Sequence, residues 1–135
     1  MARKYVYWIS TALLSALYLT SAAFYITQGD TVRQLLGQLG FPGFLVPLLI
    51  AAKLLGVAAI LARVSVALSD LAYSGMLFHL LLALSAHLNA SDYGGSVPAL
   101  VGLVALVVSF VTQNTARAKS SPYAPSHSPL QAASA

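Results

Sequence analysis

Three side chains able to do chemistry stand in stretches that are otherwise apolar. Lys53 interrupts a run from Phe44 to Ala62 with nine residues on either side of it. At about 1.5 Å per helical residue those nine residues put it about 13 Å from each end. That is too deep for the stem to reach water, and a charge at that depth in lipid costs ~2.5 kcal/mol or more. Such a lysine must face the inside of a helix bundle, where it pairs with a side chain or meets a polar ligand. His79 lies near the middle of the next run, Val66 to Leu88, and so at a matching depth across a short loop. Around it Ala72, Ala83 and Ala86 form a small-residue stripe that lets this face approach a neighbouring helix. In the first run Thr11, Ser15, Tyr18, Ala22 and Tyr25 recur at helical spacing, giving one polar and small face with Ser15 and Tyr18 at mid-depth.

A lysine, a histidine and a tyrosine at one level can donate hydrogen bonds to the carbonyl or hydroxyl oxygens of an apolar molecule. Lys53, His79, Tyr18 and Ser15 are therefore the expected ligand-binding set. A plainer alternative stands beside each. Lys53 and His79 can clamp helices together, and Ser15 can bond its own backbone. His87 and Asp70, near opposite ends of the third run, are secondary candidates, because a polar group near a helix end costs little. Asp70 is nine residues from His79 and so on the opposite helix face, where it is placed to meet Arg63. No catalytic residue is assigned and no metal site is expected.

The elements that must carry these residues follow from composition. Of 135 residues, 59% are hydrophobic and 7% charged, and the mean hydropathy is +0.81. A soluble domain carries about 25% charged residues, so these few cannot give the chain a water-facing shell. The absence of cysteine excludes thiol–disulfide chemistry and Cys-ligated zinc or iron–sulfur centres. The runs predict four membrane-spanning helices at about 5–27, 44–62, 66–88 and 97–113, with Pro98 in the first turn of the last. Continuous runs do not suit barrel strands, which alternate. The first run is longer than the roughly 7–15 apolar residues of a signal peptide and is read as a span. The fold class is an all-α integral membrane four-helix bundle, residues 1–115.

Arg3, Lys4, Arg63, Arg117 and Lys119 fall at one end of the spans and Arg33 alone at the other. By the positive-inside rule both termini are cytoplasmic. The aromatics Tyr5, Tyr7, Trp8 and Phe110 at one end, and Phe24, Tyr25, Phe41, Phe44 and Tyr93 at the other, take interfacial positions. The basic pI of about 9.6 marks topology and implies no nucleic-acid partner. Between the first two spans Val32, Leu35, Leu36 and Leu39 lie at helical spacing. They predict a short amphipathic helix on the outer surface, capped by Asp30 or Thr31 and stopped by Gly40, serving as a tether rather than a lid. Residues 116–135, rich in Ser, Pro and Ala, are expected to be a disordered cytoplasmic tail in which His127 has no role.

Several segments carry a resemblance. Tyr7-Trp8-Ile9-Ser10-Thr11, Leu39-Gly40-Phe41-Pro42 leading to Pro47-Leu48, Ala52-Lys53-Leu54-Leu55-Gly56, Ala72-Tyr73-Ser74-Gly75 through Phe78-His79, His87 after it, and Pro98-Ala99-Leu100 are similar to the DoxX-like family of small four-helix membrane proteins. The resemblance covers about residues 5–112 and implies a four-helix bundle. Relatives in the wider group include a subunit of a thiosulfate:quinone oxidoreductase and an animal receptor-assembly chaperone, while those that handle disulfides use cysteines that this chain lacks.

The leading expectation is a multi-pass protein of a bacterial inner membrane that binds a quinone or another apolar molecule. It would serve as a subunit or accessory of a redox system, with no resident cofactor. A membrane-protein partner or a homo-oligomer goes with that role. A non-enzymatic assembly or chaperone protein is the alternative, and a small isomerase using His79 comes last.

Overall fold

The structure is a computed structural model that describes residues 1–126. Among these residues it is all-helical: α1 is Ala2–Thr27, α2 Gly29–Gln38, α3 Leu45–Ala62, α4 Val66–Asn89 and α5 Tyr93–Thr112, followed by a 3-10 turn Gln113–Thr115. The segments Ala2–Thr27, Leu45–Ala62, Val66–Asn89 and Tyr93–Thr115 are each long and apolar enough to cross a membrane. Large apolar side chains such as Ile9, Leu55, Phe78 and Val104 stand exposed on their outer faces. Such a surface is tolerated where lipid is the solvent, and the helices satisfy their own backbone hydrogen bonds there. The chain is a multi-pass membrane protein.

The four long helices form a ring in which α1 adjoins α5 and α3, and α4 adjoins the same two, while the diagonal pairs do not approach. Leu14, Tyr18, Val57, Ile60, Tyr73, Met76, Leu80 and Leu106 fill the centre. Hydroxyl side chains link neighbouring helices of the ring. Thr11 Oγ1 lies 2.6 Å from Ser109 Oγ, which lies 2.7 Å from Tyr73 Oη, tying α1, α5 and α4 together through a chain of hydroxyls.

At one end of the ring α2 packs Val32 and Leu36 against Val46, with Tyr25, Phe41, Leu49 and Ile50 around them. It starts at Gly29, ahead of the expected cap. Gln28 takes the cap position, and Asp30 sits in the first turn, 2.9 Å from Arg33 Nη1. Gly40, at φ 86°, ends the helix as expected, because that left-handed conformation suits a residue without a Cβ. α5 also begins earlier than expected, at Tyr93, because Asp92 accepts the Gly95 amide at 3.0 Å and nucleates the helix there. Pro98 therefore lies inside the helix rather than in its first turn.

At the opposite end, where Tyr7 lies, residues 116–126, the first part of the expected tail, lie across the bundle. Arg117 donates to Tyr7 Oη at 2.7 Å and to the Ile60 and Leu61 carbonyls at 2.7 and 3.0 Å. Those carbonyls belong to the last turn of α3 and have no helical donor of their own, so a guanidinium is a natural cap. Asn114 bonds the Ser121 and Ala124 carbonyls and the Ser121 amide, and Ser121 Oγ donates to Asp70 Oδ2 at 2.8 Å. Arg63, left-handed at φ 46°, donates to Gln113 Oε1 at 2.5 Å and to the Lys119 carbonyl at 2.8 Å. The expected Arg63–Asp70 pairing is replaced by these bonds, since the folded-back segment supplies partners to both. The remainder of the expected tail, His127 included, lies outside the described residues.

Candidate ligand site at Lys53, His79 and Tyr18

α3, α4 and α1 bring Lys53, His79 and Tyr18 together. Lys53 is only 4% exposed, and its Nζ lies 3.3 Å from His79 Nε2. Tyr18 Oη lies 2.9 Å from His79 Nδ1 and 3.3 Å from the Met76 carbonyl. Donor counting gives the cluster a direction. A lysine ammonium only donates, so His79 Nε2 accepts, Nδ1 carries the ring hydrogen and donates to Tyr18 Oη, and the phenol donates to the Met76 carbonyl. That carbonyl thus accepts a side-chain donor from across the ring.

Tyr25 joins them, and sequence reasoning missed it. It is part of the spaced face of α1 but, near the end of that helix, it reads as an interfacial ring. In the structure its ring centroid lies 4.8 Å from Lys53 Nζ, closer than that of Tyr18 at 5.4 Å. The electron-rich faces of both rings stabilise the cation.

Ser15, expected in the ligand-binding set, shares the level of Tyr18 but does not bond to the cluster. It is buried, its Oγ has no partner, and it is not among the residues that line the cavities at Lys53 and His79. Asp70 lies at the Tyr7 end with Ser121, apart from His79, on the face that its spacing predicts. His87 sits toward the α2 end, where its Nδ1 donates to Asp92 Oδ2 at 2.8 Å. Among the described residues no group of His, Asp or Glu side chains has the arrangement of a metal site.

Two cavities meet at the cluster, each with Tyr18, Lys53 and His79 in its wall. One, of about 390 Å³, is a cleft between α3 and α4 lined by Leu55, Gly56, Leu71 and Gly75. Leu55 and Leu71 are about 70% exposed, so the cleft opens sideways to the lipid face. Gly75 borders open space there, since a Cβ on it would meet nothing within 4 Å. The other, about 170 Å³, runs toward the α2 end past Ser21, Tyr25 and His87. A third space of about 110 Å³ reaches His79 beneath Leu36 and Leu39. In consequence α2 is a packed cover over the cluster, not the bare tether that its sequence suggests.

Four spans closed around a lysine, a histidine and a tyrosine define a small multi-pass membrane protein with a polar group of side chains in its middle. The chain belongs to the DoxX-like family, which residues 9–111 match. No curated protein and no solved structure matches it.

Proposed function

We propose that this DoxX-like protein binds the polar head of a quinone, or of another apolar molecule bearing carbonyl or hydroxyl oxygens, between its helices. In this reading it serves as a subunit or accessory of a membrane redox system in a bacterial inner membrane. The observation that carries the reading is the lipid-facing cleft that ends on three hydrogen-bonding side chains. Its volume of about 390 Å³ falls within the roughly 300–1,000 Å³ of small-molecule sites. Lys53 would donate to a head oxygen while Tyr18 and His79 hold its position. The charge bias of the span ends supports cytoplasmic termini, which puts α2 on the outer face.

Purification in mild detergent followed by mass spectrometry of co-purifying molecules, with the parent and Lys53→Met side by side, tests this. A quinone or related apolar molecule present with the parent and lost in the variant is the expected result. Quinone analogues that bind Lys53→Met and His79→Leu as tightly as the parent would sink the idea. A stoichiometric protein partner retained by both forms without any small molecule would favour the assembly role instead. The isomerase reading needs a second acid–base group beside His79, and Asp70 is at the far end of the bundle.

A further inference from the structure

We infer that the head of the bound molecule is an anionic oxygen on an apolar chain, a long-chain carboxylate or the phenolate of a reduced quinone. The inference rests on reading the cleft as a ligand site and adds the charge of its occupant.

Among the described residues every carboxylate side chain is engaged away from Lys53. There are three acidic residues in all. Asp30 pairs with Arg33 beyond the end of α1, at 2.9 Å. Asp92 takes the Gly95 amide and His87 Nδ1, at 3.0 and 2.8 Å. Asp70 takes Ser121 Oγ at the opposite end of the bundle. None remains for Lys53, which is buried at mid-depth with one imidazole nitrogen and two aromatic faces around it. A buried charge in a membrane calls for an opposite one, and the described residues do not supply it. The ammonium has three N–H groups, of which His79 takes one. The two cavities that Lys53 lines are where an acceptor would stand.

The surroundings select the rest of the molecule. From Lys53 the larger cleft continues along Ala52, Leu55, Gly56, Leu71 and Gly75 with almost no polar lining, which suits an alkyl or isoprenoid chain entering from the bilayer. The two Lys53 N–H groups that His79 leaves unused can donate and cannot accept, so a neutral donor head gains less in this site than an anion does.

The test uses the full chain in phosphatidylcholine nanodiscs. Binding of a fluorescent long-chain carboxylate is compared with that of its methyl ester, and of a reduced short-chain quinone with its oxidised form. The expected result is at least a tenfold preference for the carboxylate over the ester, or for the reduced over the oxidised quinone; which pair shows it identifies the source of the anion. Lys53→Met should abolish that preference and Lys53→Arg should keep it. Gly75→Leu, which fills the cleft without touching the charge, should weaken all chain-bearing probes alike. Ester and acid binding equally, together with both quinone forms binding equally, would overturn the anionic head and leave the quinone reading standing. No binding by any probe would overturn both. A preference unchanged in Lys53→Met would overturn the assignment to Lys53.

Discussion

The ring of Tyr25 lies 4.8 Å from Lys53 Nζ, although Tyr25 is in the last turn of α1 and Lys53 at the middle of α3. An aromatic ring that reads as an interfacial anchor is thereby a wall of the lysine's surroundings. Tyr25→Phe keeps the face, and Tyr25→Leu removes it. The leucine variant should lose about 0.5–2 kcal/mol of stability, seen as a lower melting temperature in detergent, while the phenylalanine variant stays near the parent. Equal melting of both variants would dismiss the cation–π contact as a stabiliser.

The bonding order of the cluster fixes a tautomer. With Lys53 donating to Nε2, the His79 ring hydrogen belongs on Nδ1, facing Tyr18 Oη. Nitrogen NMR of a ¹⁵N-histidine sample should show this form. Tyr18→Phe leaves Nδ1–H and the Met76 carbonyl without their shared partner and should cost about 1–3 kcal/mol. A spectrum with the hydrogen on Nε2 would contradict donation from Lys53 through His79 to Tyr18.

Arg117 holds α1 and α3 at once, through Tyr7 and the Trp8 ring at 4.8 Å on the first and the end of the second. Replacing it with alanine exposes the last α3 carbonyls. The expected loss is about 1.5–3 kcal/mol, together with faster proteolysis between residues 116 and 126. A variant as stable and as protease-resistant as the parent would show that this segment is not held by Arg117.

The Asp92 cap supplies a dependence on acidity. The Gly95 amide, and after it the His87 side chain, hold the Asp92 carboxyl below its ordinary value. A lowered folded value means that the carboxylate's contribution is complete above the ordinary carboxylate range and is lost as pH falls through the folded value. Amide exchange at Gly95 and Ser96, corrected for its intrinsic rate, should therefore accelerate in acid, and Asp92→Asn should flatten the dependence. Gly95→Ala should open the cap at every pH, because its Cβ would collide with Asp92 Oδ2 and His87 Nδ1. A flat profile in the parent would remove the carboxylate from the cap.

The spans are legible because lipid imposes a single rule on them: about twenty residues without charge. The meeting of Lys53, His79 and Tyr18 is legible for a related reason, since polar groups at equal depth have few places to go but toward each other. What escapes are relations between an element's end and something far along the chain. Arg117 is 57 residues from Ile60 and 110 from Tyr7, and a segment rich in Ser, Pro and Ala gives no sign that bare helix carbonyls await it. Tyr25 escapes because position along a helix says interface, while its direction, set by the packing of α1 on α3, says interior. Ser15 shows what depth leaves open: it has the level of Tyr18, but it does not line the cavities at Lys53.

The folded-back segment 116–126 also imposes an order on biosynthesis. Its partners, Tyr7 on α1, Ile60 on α3 and Asp70 on α4, are all made before it and must already stand side by side when it arrives. Until then a nascent bundle leaves the Ile60 and Leu61 carbonyls uncapped and Asp70 without Ser121. Closure of that end thus reports that all four spans have been inserted and have found one another.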